Sequence, residues 1–181
     1  MDQIKNYNDI IKNIIENYYN DNKKKRIFNK AQQKTEIAEL IAKKIDLKQH
    51  IKNEIYINPN NDQHIFVSYP NVKHVLCKSN YDTITNILDN IIYNVVWKHG
   101  SFFLHIDIFS ITPSSIHRFK TLIDLFMNKK NEDIEKDRID YLQKCYIYNA
   151  PATMQNISIL IKPIIDPRFV EKIVYVPNSK K

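Results

Sequence analysis

Apolar segments alternate with helical segments along the second half of the chain, and this order restricts the fold more than any other feature. Residues 102–109 are almost all apolar, as expected of a strand that is buried on both faces. Residues 145–148 and 173–176 are two further predicted strands. Strands that are separated by helices join through right-handed crossovers into a largely parallel sheet. The sequence therefore predicts an α/β fold with a mostly parallel sheet.

The first part of the chain is predicted to be mainly helical. Apolar residues recur at helical spacing in residues 3–19 and again in residues 28–46. We place a short N-terminal helical region at residues 1–52 and an α/β domain at residues 53–181. Within that domain, short strands are predicted at residues 54–57 and 64–69, a loop or frayed helix end at residues 128–138, and helices at residues 81–95, 113–126 and 151–165.

The chain contains one glycine, Gly100, which excludes several enzyme classes. A Walker A loop needs two glycines and a dinucleotide-binding fingerprint needs three, because backbone must approach phosphates closely. Nucleotide-dependent chemistry through those motifs is therefore excluded. Ser114, Ser115 and Ser158 have no histidine nearby in the order of a catalytic triad. These observations predict a protein that is not an enzyme.

The net charge of +7 predicts attraction to polyanions, which are nucleic acids or anionic membrane surfaces. The densest basic run is Lys23, Lys24, Lys25 and Arg26. We assign it to a membrane surface, with a solvated turn as the alternative; the preceding tyrosines favour a membrane interface. No nucleic-acid-binding module is recognisable, so no nucleic-acid partner is predicted.

Two small groups of residues with reactive side chains are interpreted as structural. His105 and Asp107 lie two apart on a predicted strand and share one face, but a metal site needs at least three ligands and the third is missing. We predict a polar pair at the edge of the core and no metal. Cys77 and Cys145 each lie beside apolar residues. Two reduced, buried thiols are favoured, with a disulfide as the alternative.

The predicted helix at residues 151–165 is apolar on more than one side. Met154, Ile157, Ile161 and Ile164 form one stripe, and further apolar residues lie elsewhere on its circumference. A helix that is apolar on two sides requires two apolar neighbours. Taken alone, this pattern fits a fully buried core helix as well as a helix that covers an apolar pocket.

The segments 140–151 and 161–173 resemble the CRAL-TRIO lipid-binding family, in particular its phosphatidylinositol-transfer members. The family shows an acidic residue, a basic-aromatic-apolar strand, Asn-Ala-Pro, a helix with Lys-Pro near its end, then Asp-Pro and Lys-Ile. The similarity extends more weakly over residues 80–176. The corresponding residues here, in order, are Asp140, Lys144–Ile147, Asn149–Pro151, Lys162–Pro163, Asp166–Pro167 and Lys172–Ile173.

This resemblance implies an apolar lipid pocket beneath a gate helix, residues 151–165. It also implies that Asp140 and Lys172 contact the lipid head group. Phe169 replaces a family threonine of the inositol-binding set, whereas Phe102 and Leu104 replace the serine and threonine that contact phosphatidylcholine. Inositol lipid is therefore favoured over choline lipid. The pocket and gate residues are Phe102, Leu104, Met154, Ile157, Ile161, Ile164, Ile165 and Phe169.

Together these features predict a protein that binds a phospholipid, with phosphatidylinositol or a phosphoinositide favoured, and transfers it between membranes. It would need no cofactor beyond the bound lipid. The alternative is a non-enzymatic regulatory or protein-interaction module with a related small α/β fold and a filled core. No run of 18 apolar residues occurs and no secretory signal is apparent, so we predict a cytoplasmic protein in peripheral contact with anionic membranes.

Overall fold

The structure is a computed structural model that describes residues 2–22, 30–128 and 137–177. Lys23, Lys24, Lys25 and Arg26 lie outside the described residues, as do residues 129–136 of the charged segment. Within the described part, the strands are β1 (Ile55–Asn58), β2 (Asn61–Ser68), β3 (Phe102–Asp107), β4 (Leu142–Tyr148) and β5 (Ile173–Tyr175). The helices are α1 (Asp2–Asp21), α2 (Lys30–Lys44), α3 (Leu47–Glu54), α4 (Tyr69–Val72), α5 (Tyr81–His99), α6 (Pro113–Asn128), α7 (Arg138–Tyr141), α8 (Met154–Ile161) and α9 (Pro167–Val170).

The strands form one five-stranded sheet in the order β1-β2-β3-β4-β5. β1 and β2 are antiparallel, because the tight turn between Asn58 and Asn61 reverses the chain directly. The other three pairs are parallel, and helices connect their members. The prediction of a mostly parallel α/β sheet is confirmed.

The N-terminal helices share a core with the sheet. Ile11 of α1, Ile41 of α2 and Ile51 of α3 belong to the same buried apolar cluster as Ile65 of β2. The sequence pattern did not predict α3, because few of its residues are apolar. Its amino end is stabilised instead by the Asp46 carboxylate, which accepts a hydrogen bond from the backbone N–H of Gln49 at 3.0 Å. The division of the chain at residue 52 stays a prediction.

The chain's single glycine ends α5. Gly100 has φ of +70°, in the left-handed region that other residues rarely adopt, and its N–H donates to the carbonyl of Val96 at 2.7 Å. The helix therefore stops at His99, and the chain turns directly into β3. This turn fixes the position at which β3 enters the sheet.

No residue of β3 is exposed, but the prediction of a strand buried on both faces is confirmed only in part. Phe103 and Asp107 are half-buried, and Phe109, which lies beyond the end of the strand, is 62% exposed. His105 lies in a stack of rings across the sheet, with its centroid 4.3 Å from that of Phe66 and 4.8 Å from that of Tyr146. One face of β3 therefore carries aromatic and polar side chains rather than a second apolar core.

His105 of the predicted polar pair is buried, and so are both cysteines. His105 hydrogen-bonds to His64 at 2.7 Å and to the Tyr148 hydroxyl at 2.8 Å, and it is only 7% exposed. Among the described residues, no cluster of three metal-ligating side chains occurs. Cys77 and Cys145 are free and buried, as predicted. Burial raises the pKa of the Cys145 thiol to about 12, so this thiol is unreactive at neutral pH.

Candidate functional site

An apolar cavity of about 360 Å³ lies between the sheet and the helices that cover it. Its floor is formed by alternate residues of the strands, its walls by α5 and α6, and its cover by α8, the 3-10 turn Lys162–Ile164 and α9. The lining includes Leu104 and Ile106 of β3, Leu88 of α5, Phe126 of α6, Met154 and Ile161 of α8, and Phe169 of α9.

The cavity lining offers almost no hydrogen-bonding groups. Thr85 is one of four residues with polar side-chain atoms among those that line it, and its hydroxyl already donates to the carbonyl of Asp82 at 3.1 Å. The others are Ser158 and Lys162 on the covering segment and Tyr175 of β5. A polar ligand would lose its hydrogen bonds to water without replacement in such a space, whereas a hydrocarbon chain would lose none. The cavity is therefore suited to an apolar ligand.

The covering helix α8 is shorter than the predicted helix at residues 151–165. It begins at Met154 after a turn in which the Met154 N–H donates to the Pro151 carbonyl at 2.9 Å. It ends at Ile161, because Pro163 has no N–H and the chain tightens into the 3-10 turn Lys162–Ile164. The predicted cover over an apolar space is present, but as a short helix followed by a tighter turn.

Five of the eight predicted pocket residues line the cavity, and three do not. Ile157 is fully buried outside the lining, and Ile164 is half-buried outside it. Phe102 is 1% exposed at the start of β3 and also lies outside the lining. The five lining residues are Leu104, Met154, Ile161, Ile165 and Phe169.

The outward side of α8 is also apolar. Ile159 is 71% exposed and Leu160 is 48% exposed, although both side chains are aliphatic. Their exposure costs free energy in water, so this side is suited to contact with another apolar surface or ligand. The two-sided apolar character seen in the sequence therefore belongs to a helix with a cavity below it and an exposed apolar side above.

The two predicted head-group residues lie outside the lining of the cavity. The Asp140 carboxylate, at the start of the segment that leads into β4, accepts a hydrogen bond from Arg168 Nη1 at 3.0 Å. The Lys172 ammonium donates to the carbonyls of Ile139 and Leu142, each at 2.5 Å. No salt bridge between Asp140 and Lys172 is found among the described residues.

α9 connects these polar residues to the cavity. Phe169 lines the cavity, while the neighbouring Arg168 is exposed and carries the contact to Asp140. The amino end of α9 is capped by Asp166, which accepts the Arg168 backbone N–H at 2.8 Å. One short helix therefore presents an apolar side chain to the cavity and a cation to the surface beside it.

The family model for the CRAL/TRIO domain matches residues 87–181, which is just over half of the chain. The chain belongs to the CRAL/TRIO family. The solved structure titled "Crystal structure of Sfh5" has a TM-score of 0.47 and 16% sequence identity, over 70% of this chain and 50% of that one. The chain therefore matches half the length of Sfh5. No curated protein matches it.

CRAL/TRIO domains are lipid-binding carriers and not enzymes, so residues 87–181 form a lipid-binding domain, as predicted. No helix within residues 2–22, 30–128 and 137–177 is long and apolar enough to cross a membrane. The match begins within α5, so β1 and β2 precede it.

Sequence reasoning missed Arg168 and most of the cavity walls. Two of the carboxylate partners of Arg168, Asp137 and Asp140, are about 30 residues away in sequence, and only Asp166 is nearby. Leu88 and Phe126 lie in helices that the sequence predicts, on apolar faces expected to point to the core. Helical periodicity identifies such faces, but it does not distinguish a face that packs on atoms from one that borders a space.

Proposed function

We propose that this CRAL/TRIO protein carries one membrane phospholipid and transfers it between membranes. An acyl chain of the lipid would lie in the cavity. The cavity below α8 is the observation that supports the proposal. Its volume of about 360 Å³ falls within the range of roughly 300–1,000 Å³ that is typical of ligand pockets. Burial of hydrocarbon there would supply about 25 cal/mol for each Å² removed from water.

The alternative function, a regulatory or protein-interaction module, was expected to have a filled core. The cavity argues against that alternative. Natural cores are packed as densely as organic crystals and contain few voids larger than a water molecule. If no ligand ever occupied an apolar space of about 360 Å³, the side chains around it would lose many van der Waals contacts.

For the head group, we propose phosphatidylinositol or a phosphoinositide, bound through Asp140 and Lys172. The Asp140 Oδ2 atom has no hydrogen-bond partner among the described residues, so it can accept from an inositol hydroxyl. The Lys172 ammonium has three N–H donors, and backbone carbonyls take two of them. The third is available to a phosphate. These two contacts would select the lipid, whereas the cavity would supply most of the affinity.

We further propose that the protein works in the cytoplasm without a cofactor other than its lipid, and that it docks peripherally on anionic membranes through Lys23, Lys24, Lys25 and Arg26. Each basic residue close to such a membrane adds about 1 kcal/mol of attraction. The net charge of +7 supports this docking. Nucleic acid is not proposed as a partner.

The test of the proposed function has two parts. Native mass spectrometry of the purified protein should detect one phospholipid bound per chain. An assay with donor and acceptor vesicles should then show that the protein accelerates movement of that phospholipid. A chain that carries no lipid, and that accelerates transfer of neither phosphatidylinositol nor phosphatidylcholine, would show that the proposal is wrong.

A further inference from the structure

A second apolar space lies outside the cavity, between α8 and the end of β5. It is an open groove of about 640 Å³. Most of its lining is apolar, and among residues 2–22, 30–128 and 137–177 no charged side chain lines it. The lining residues are Ala150, Met154, Ser158, Ile159, Tyr175, Val176 and Pro177.

The groove and the cavity share part of their lining. Met154, Ser158 and Tyr175 border both spaces. None of the three forms a side-chain hydrogen bond or ion pair in the described part of the chain, so these side chains are not held in place by polar contacts. A methionine is unbranched and flexible, and a serine is small. The side chains that separate the two spaces can therefore move without breaking polar contacts.

We propose that the groove holds the second acyl chain of a diacyl lipid whose first chain occupies the cavity. The shared lining supports this occupant, because a ligand that reaches both spaces must pass the side chains that border both of them. The cavity of about 360 Å³ is near the lower end of the volume range of ligand pockets, which suits one chain better than two. This inference rests on the proposed function.

Occupation of the groove would also account for the exposure of Ile159. This side chain is 71% exposed and lines the groove. An acyl chain lying in the groove would remove it from water, which is favourable in proportion to the apolar area covered. Ile159 would thus determine whether the protein prefers a lipid with two chains over a lipid with one.

The test compares Ile159→Glu with Leu160→Glu. Leu160 is the next residue of α8, is also exposed, and lines neither the groove nor the cavity. Each purified variant is incubated in detergent micelles with phosphatidylinositol, phosphatidylcholine and the lyso form of each, and bound lipid is measured by native mass spectrometry. Lipids with the same head group but one or two chains isolate the contribution of the second chain. Thermal unfolding of each variant checks that it is folded.

Ile159→Glu is expected to lower the affinity for diacyl lipid about tenfold, because loss of burial for two methylene groups is sufficient for that change. Binding of lyso lipid should remain as in the wild type, and Leu160→Glu should bind both forms normally. Equal retention of diacyl lipid by the two variants, or equal loss of diacyl and lyso lipid in Ile159→Glu, would overturn the inference and leave the proposed function intact. A wild-type protein that binds none of the four lipids would overturn both.

Discussion

Arg168 Nη1 lies 3.0 Å from Asp140 Oδ1, so a cation from α9 holds one oxygen of the carboxylate that the family resemblance assigns to the head group. The same guanidinium also binds Asp137 at 3.0 Å and Asp166 at 2.7 Å. Its hydrogen bond to Asp166 raises the pKa of Arg168 and lowers the pKa of the Asp166 carboxyl, so both groups are charged at neutral pH. Arg168 therefore orients Asp140 rather than leaving it mobile.

Asp140→Ala is predicted to reduce transfer of phosphatidylinositol selectively. The substitution removes the carboxylate that would accept hydrogen bonds from the inositol hydroxyls, while the apolar lining of the cavity is unchanged. A vesicle transfer assay with phosphatidylinositol and phosphatidylcholine measures both activities in one preparation. Unchanged transfer of both lipids would exclude Asp140 from the head-group site, and an equal loss of both would indicate damage to the fold.

Lys172→Met is predicted to reduce stability as well as phosphatidylinositol transfer. The Lys172 ammonium binds the carbonyls of Ile139 and Leu142 at the carboxyl end of α7. Without it, two partly buried carbonyl groups lose a charged donor, which costs about 2 kcal/mol. Urea unfolding measures the loss. Lys144→Met, at an exposed position of β4, is the matched control and should unfold as the wild type does.

Ile106→Phe is predicted to fill part of the cavity and displace lipid. The side chain of Ile106 projects from β3 into the cavity, so a larger ring has room to enter it. We expect less phospholipid bound in native mass spectrometry, with the free energy of unfolding unchanged or increased by about 1 kcal/mol through added apolar burial.

The control for this substitution is Val174→Phe. Val174 pairs with Tyr146 on the aromatic side of the sheet and does not line the cavity. The substitution Val174→Phe should therefore leave the amount of bound lipid unchanged. If Ile106→Phe instead lowers the free energy of unfolding by about 1–3 kcal/mol, as overpacking of a dense core does, the core around Ile106 has no room for a ligand.

The sequence predicted the fold well where side-chain periodicity and chain order determine it. The alternation of helices and apolar strands indicated a parallel sheet, and the order β1-β2-β3-β4-β5 agrees with it. The end of α5 was not predicted, because the apolar pattern was followed only to residue 95, whereas Gly100 ends the helix after His99. Nor was α3 predicted, because few of its residues are apolar. Its start is stabilised by the Asp46 carboxylate instead.

The candidate site was only partly predictable from sequence. The apolar residues on both sides of α8 indicated two apolar neighbours, and five of the eight named residues line the cavity. Arg168 was not predictable, since its contacts to Asp137 and Asp140 depend on how α9 packs beside α7. The groove beside Ile159 depends on where β5 ends, and strand ends are poorly determined by local sequence.

Replacement of Lys23, Lys24, Lys25 and Arg26 by glutamine is predicted to weaken binding to anionic vesicles. Each basic residue contributes about 1 kcal/mol near an anionic surface, and salt screens that attraction. Co-sedimentation of the wild type should therefore increase with the fraction of anionic lipid and decrease as salt is added. Binding that is equal on neutral and anionic vesicles would contradict the prediction.

Stability is predicted to fall as the pH decreases from about 6.5 towards 4, in part because of His105. Burial and the neighbouring His64 lower the pKa of His105 to about 4, whereas an unfolded chain would titrate it near 6.5. Between these values the unfolded state binds more protons than the folded state, so the contribution of His105 is fully present above pH 6.5 and is lost as the pH falls. One such group changes the free energy of unfolding by at most about 1.4 kcal/mol per pH unit.

His105→Phe separates this contribution from those of other histidines. A phenyl ring can replace the imidazole in the stack between Phe66 and Tyr146, although the hydrogen bonds to His64 and Tyr148 are lost. His74 would remain. Burial, and to a smaller extent the charge of Lys73, lower the pKa of His74 to about 4 as well. Urea unfolding of the variant should therefore show a smaller decrease in stability between pH 6.5 and 4, without abolishing it. A variant whose pH dependence is as steep as that of the wild type would show that His105 is protonated with little cost in the folded protein.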